Sequence, residues 1–321
     1  MRLEEILHLH IPNKWMLRNY LGPNYIHDYS REIDLSKLRC ARSGNNYDRD
    51  FMEYCDTSNA HFIEAGRDDE RNLYIIIHSG NNDLGKAIIE YYCIDSWRQC
   101  KQNWKENQDA TAAAFIQKLK SEVRRREIPN MLKEFTKESK QDEFKSFINV
   151  QQGAFDDYIH DIKIVQDYAL ACRKTVMEII KNRLKISQAD EREQFSSIHK
   201  YIDTDMMIFR SGAVSAGAGE KFIIALNMRD GCLLCEGLGN ADWNYSAPGY
   251  AGRCMSLRRA AESLSLDEYQ KMTAGIFCTT VGQYTLSQSP LAYKPADEII
   301  RNIAPTAKVL KIIKPIYNYK L

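Results

Sequence analysis

The chain has 321 residues, 44% of them apolar and 27% charged, with 44 Lys and Arg against 43 Asp and Glu. That length accommodates one large domain or a few small ones, and the composition excludes wholesale disorder. The balanced charge excludes strong bulk attraction to nucleic acid or to an anionic membrane.

The opening MRLEEILHLHIP carries two glutamates where a secretory signal needs its apolar core, so no such signal is expected. No run of about 18 apolar residues occurs, and no transmembrane helix is predicted. The nine cysteines are odd in number and scattered, which fits free thiols in a reducing, cytoplasmic setting better than a disulfide framework. Delivery into a host cell by a route without a signal peptide is compatible with this reading.

Three textures follow one another. Residues 1–82 form a small mixed α/β unit, in which AHFIEAG (60–66) and NLYIIIHS (72–79) are predicted strands joined by an RDDER turn. Residues 83–202 are predicted to be a helical bundle. Asp83 and Asp109 are its first expected N-caps, and Pro129 suits the first turn of a helix PNMLKEFTKES. Apolar residues recur every three or four positions from Phe155 to Ile180, giving a long helix over 141–186 with a bend expected at Gly153. Ser187 is the expected cap of a last helix reaching Ile202.

From Asp203 the pattern turns to β. DMMIFRSG, KFIIALNM and CLLCEGL predict a meander, with turn chemistry at Asp230-Gly231. A helix CMSLRRAAESL follows, then LDEYQKMTAGIFCTTV behind a capping box of Ser265 and Glu268, then PADEIIRNI and a basic tail. The expected fold class is α+β and helix-rich, with a central helical bundle and a C-terminal antiparallel β-meander plus helices over 203–321.

Candidate chemistry is fragmentary. Gly80, Gly85 and Lys86 match the G-x-x-x-x-G-K core that cradles phosphates at a helix start. Ala87 stands where a magnesium-ligating hydroxyl is needed, and the helical texture that follows lacks the parallel strands of a P-loop domain. Arg192 and His199 match the R-x(4–6)-H spacing of HEPN-type ribonucleases, a spacing that also occurs at Arg2/His8 and Arg71/His78. Arg210, at a strand end, is placed like the dinucleotide-holding arginine of ADP-ribosyltransferases, without the acidic pair those enzymes need. Cys254 opens the helix CMSLRRAAESL after a glycine-rich loop, where the helix dipole favours a thiolate nucleophile, but a cysteine hydrolase usually finds its histidine later in the chain and none follows. Cys232 and Cys235 have the spacing of half a zinc site, although on a strand they point apart. Lys308, Lys311 and Lys314, near Tyr317 and Tyr319, offer a weak nucleic-acid contact.

Every catalytic set lacks a partner. The leading expectation is therefore a non-catalytic assembly or protein-interaction protein, viral or host-directed, with protein partners, a homo-oligomeric state and no cofactor. The alternative is an enzyme acting on nucleotides or RNA.

Overall fold

The computed structural model describes residues 33–40, 62–80, 82–121, 130 and 152–320. Strands β1 (Phe62–Arg67) and β2 (Leu73–His78) form an antiparallel hairpin with Phe62 opposite His78. Asp68 closes its turn by accepting from the Asn72 backbone N–H at 2.8 Å and from the Tyr74 hydroxyl at 2.9 Å. Further on come β3 (Lys200–Asp203), β4 (Ile208–Ser211), β5 (Ala213–Ser215), β6 (Lys221–Asn227), β7 (Gly231–Gly237), β8 (Ser246–Pro248) and β9 (Ala307–Lys320).

The main sheet has five antiparallel strands in the order β2-β1-β9-β7-β6. Strands β3 and β4 pair separately, as do β5 and β8. The architecture is thus mixed α/β around an antiparallel sheet, which overturns the expected helix-rich fold with a central bundle and a C-terminal meander. The sheet draws its strands from both ends of the described chain, and the predicted basic tail is its central strand. Pro315 is tolerated there because it faces Gly66 at a bulge in the β1–β9 ladder, where the hydrogen-bond register shifts anyway.

Five α-helices complete the described residues: α1 (Asn82–Ser121), α2 (Gln152–Leu184), α3 (Leu257–Ser263), α4 (Leu266–Met272) and α5 (Ala296–Ile303). Helix α1 is continuous over 40 residues, so Asp109 lies inside it and Asp83 in its first turn, neither as a cap. Gly153 is helical, in the first turn of α2. The predicted helix over 129–139 and the front of 141–186 lie outside the described residues, apart from Asn130. Ser256 caps α3 by accepting from Arg259 N–H at 3.2 Å, whereas Ser265 makes no side-chain cap and α4 stops at Met272.

The largest correction is at 187–202. Ser187 donates its N–H and hydroxyl to Asp190 in a turn, and the chain then runs extended into β3 without forming a helix. Tertiary contacts override a helix-favouring composition here.

The chain divides into two compact units. In the one formed by 1–36, 46–83 and 163–321, alternation along each strand sorts the side chains. Phe222, Ile224, Leu226, Leu233 and Cys235 enter a core with Ile299 and Ile303 of α5. Ile63, Ala65, Ile75 and Ile77 pack on Val176, Ile180 and Leu184 of α2 with Tyr317 and Tyr319. The fully buried Ile63, Ile180, Ile224 and Leu233 contribute roughly 1.5–3 kcal/mol each.

The other unit, 37–45 and 84–162, centres on the buried Asp161. Its carboxylate accepts from the backbone N–H groups of Arg39 (2.7 Å) and Cys40 (3.0 Å), from the Tyr92 hydroxyl (2.8 Å) and from His160 (3.0 Å). Burial alone would raise its pKa, but these donors hold it below the ordinary carboxylate value. No helix among the described residues is long and apolar enough to cross a membrane.

Candidate functional site

Strand β2 carries His78 at its end. Because Ile75 and Ile77 turn towards α2, the period of two sends His78 to the opposite face. His199 arrives just before β3, whose Ile202 is pinned by Gln166 of α2: the Gln166 amide donates to Ile202 C=O at 3.2 Å and accepts from Ile202 N–H at 2.8 Å. The two imidazoles then meet Nε2 to Nε2 at 2.7 Å, with ring planes 25° apart. At that distance one ring presents an N–H and the other a lone pair.

The pair lies in a cleft of about 640 Å³. Its walls are β2, the second half of α2, the extended segment 190–199, and Ile223 and Ala225 of β6, which face away from the core entered by Phe222 and Ile224. Arg173 joins the two histidine-bearing segments, donating to Ser79 C=O at 3.1 Å and to the Ser196 hydroxyl at 3.4 Å. Lys174, Lys181 and Arg192 add positive charge to the lining, against Asp190, Glu191 and Glu193.

Three consecutive residues fasten the extended segment. Glu191 pairs with Lys181 at 2.9 Å, Arg192 donates to Asn72 Oδ1 at 2.8 Å, and Glu193 pairs with Lys221 at 2.7 Å. Hydrogen bonds from Lys181 to Glu178 and Glu191 raise the lysine's pKa. Among the described residues no three of His, Cys, Asp or Glu converge to hold a metal ion.

The residues singled out by sequence are mostly dispersed. His199 enters the cleft, but beside His78; Arg192 lines it too, held on Asn72. Gly80 follows β2, while Gly85 and Lys86 lie in the second turn of α1, where no loop curls around an anion; Lys86 is exposed and 3.8 Å from Glu90. Arg210 is buried, donating to Asp203 (2.8 Å), the Tyr201 hydroxyl (3.0 Å) and the Ser246 hydroxyl (2.9 Å), which describes an internal clamp. Cys254 is exposed three residues before α3, its Sγ 3.3 Å from Leu291 C=O, and so does not sit at the helix start.

Cys232 and Cys235 are buried on opposite faces of β7, and burial pushes the Cys235 thiol up to about 12. Lys308, Lys311 and Lys314 all lie in β9, where Lys311 is tied to Asp68, Asp69 and Glu70. His78 was visible only as half of a recurring Arg/His spacing; its position at the end of LYIIIH was the local signal. Tyr250, which meets His199 edge-on at 5.5 Å, had none.

The histidine pair thus lies in a cleft lined by apolar, basic and acidic side chains. Residues 43–321 match the family described as RtcB, tRNA-splicing ligase RtcB, and the chain belongs to that family. Two curated relatives from Escherichia coli strains, RNA-splicing ligase RtcB1 and RNA-splicing ligase RtcB, are each 23% identical over 274 residues, covering 81% of this chain and 59% of the relative. The chain therefore spans about 59% of the length of the curated relatives it matches. Membership of a ligase family overturns the expectation of a non-catalytic assembly or protein-interaction protein and favours the alternative, an RNA-acting enzyme.

Proposed function

We propose that this protein joins RNA ends, using the cleft that holds His78 and His199. The observation that carries the reading is the family match over 43–321, a span that includes every wall of the cleft. The imidazole pair supplies proton transfer at the reacting oxygens, and Arg173 and Lys174 supply positive charge for phosphate groups. The near-neutral overall charge does not oppose this, since a local cluster steers an RNA end without a basic surface. A reducing, cytoplasmic setting suits both that role and the free thiols of Cys93 and Cys254.

The test is a joining assay. Halves of a transfer RNA cut in the anticodon loop are incubated with the protein, in every combination of phosphate and hydroxyl ends, with and without nucleoside triphosphates and divalent cations. The expected result is a full-length product on a denaturing gel that disappears with His199→Gln. Binding of the halves with no joined product under any combination would overturn the reading.

A further inference from the structure

We propose that the extended segment 188–198 is an autoinhibitory strap: its carboxylates hold lysines at the cleft that an RNA phosphate backbone would otherwise take, and RNA enters by displacing it. This regulation presupposes the RNA-joining reading above, at the same cleft.

The segment lies between the two edge strands of the main sheet and pairs with neither. On the β2 side, Arg192 Nη1 donates to Asn72 Oδ1 at 2.8 Å; on the β6 side, Ser197 Oγ accepts from Ile223 N–H at 3.4 Å. Among the described residues, no N–H or C=O group of 191–198 enters a backbone–backbone hydrogen bond. Its largest apolar side chain, Phe195, is 40% exposed, so apolar burial fixes it little. Side-chain contacts therefore fasten it, and it can swing away without breaking a ladder. Both ends are anchored. The Ser187–Asp190 turn follows Lys185, whose φ is +56°, and Gln166 pins Ile202 beyond the other end.

The contacts that fasten it are mostly charged. Asp190, Glu191 and Glu193 set three carboxylates against the one guanidinium of Arg192. Glu191 accepts from Lys181 of α2 at 2.9 Å, and Glu193 accepts from Lys221 of β6 at 2.8 and 2.7 Å. Lys181 keeps a second carboxylate, Glu178, on its own helix at 2.6 Å, whereas among the described residues Lys221 pairs with Glu193 alone. Displacing the strap thus frees Lys221 fully and Lys181 in part, beside Lys174 in the cleft wall. Phosphate oxygens offer an ammonium the same anionic acceptors as these carboxylates. Solvent reaches both pairs, so each is weak by itself, and a polyanion that also releases counterions outcompetes them.

The test measures binding of a fluorescently labelled transfer-RNA half by anisotropy, across a range of salt. It compares the parent with Glu191→Gln/Glu193→Gln and with a control, Glu262→Gln/Asp297→Asn. The control removes the same two charges from exposed ion pairs on α3 and α5. The strap variant should bind about tenfold tighter than the parent, with a log–log salt slope steeper by about one to two; the control should stay within about twofold. Chymotrypsin cleavage after Phe195 reports the strap itself. RNA should accelerate that cut in the parent, and the strap variant should be cut faster than the control without RNA.

A strap variant that binds no tighter than the control would overturn the proposal. So would RNA that protects Phe195 in the parent, since RNA would then lie under a closed strap. If no form of the protein joins RNA, the functional reading above fails, while binding of the half still decides here. If no form binds RNA, inorganic polyphosphate replaces it as the probe, and equal affinities of the strap and control variants end the proposal.

Discussion

His78 and His199 touch at 2.7 Å although 121 positions separate them in the chain. Neither residue is in a motif that predicts the other. They meet because β2 delivers one at a strand end, while Gln166 and the fastened segment before β3 deliver the other.

Replacing either ring tests the pair directly. His78→Gln and His199→Gln each remove one imidazole while keeping a side chain able to hydrogen-bond the remaining one. RNA joining should fall by about 10²-fold or more in each, the range of general acid–base contributions. The double variant should fall little further, because the two act as a unit. Single-turnover rates measure this; full additivity of the two losses would show that the rings act independently.

Arg210 separates a structural arginine from a functional one. It is 2% exposed and donates to Asp203, Tyr201 and Ser246, tying β4 to β3 and to β8. Burial would raise the Asp203 pKa, but Arg210 and the backbone N–H groups of Met206 and Asp205 hold it below the ordinary value. Arg210→Ala leaves that carboxylate without its charge partner and should cost about 3–5 kcal/mol. Arg210→Lys should recover only part, since an ammonium cannot reproduce the guanidinium fork. Urea denaturation midpoints decide this; a loss below about 1 kcal/mol for the alanine variant would be incompatible with the clamp.

Much of the local structure was legible because it depends on neighbours in sequence. The alternation of KFIIALN and the Asp230-Gly231 turn are enough to place β6 and β7, and LYIIIH places β2. What failed depended on distant partners. The charged run DEREQ resembles a helix, yet Lys181, Asn72 and Lys221 hold its residues extended. The last residues look like a solvated basic tail because Pro315 and regular lysines argue against a central strand, and only the bulge opposite Gly66 reconciles proline with that position. The site was the least legible part, since it is assembled from β2, α2, the segment before β3 and the Gly249-Tyr250 turn.

Asp161 should make the other unit sensitive to acid. Its donors hold the folded pKa below the unfolded value, so its contribution is present above the unfolded pKa and is lost as pH falls through the folded one. Asp161→Ala leaves the N–H groups of Arg39 and Cys40 and the Tyr92 hydroxyl without their shared acceptor, a loss of about 3 kcal/mol at neutral pH. The deficit should shrink in acid. Hydrogen exchange of the Arg39 and Cys40 amides across that range reports it, and slow exchange retained in the alanine variant would contradict the assignment.

Glu64 predicts the opposite sign. It is 2% exposed within β1, where Asn318 of β9 donates to its Oε2 at 3.0 Å. Among the described residues, its Oε1 and the Asn318 Oδ1 are buried with no N–H or O–H donor. Burial, only partly offset by Asn318 and Cys232, raises its pKa from 4.5 to about 7. The folded protein therefore keeps a proton here that the unfolded chain releases, and stability falls as pH rises from the unfolded pKa to the folded one. The integrated loss is about 3 kcal/mol, complete above the folded pKa. Glu64→Gln removes the titration and gives the site an amide N–H₂ that can face the orphaned Asn318 oxygen. At pH 8 the variant should be more stable than the parent by up to that amount, and near pH 4 the two should coincide. Urea midpoints at the two pH values make the comparison; an equal offset at both would mean that packing, and not ionisation, sets the cost of Glu64.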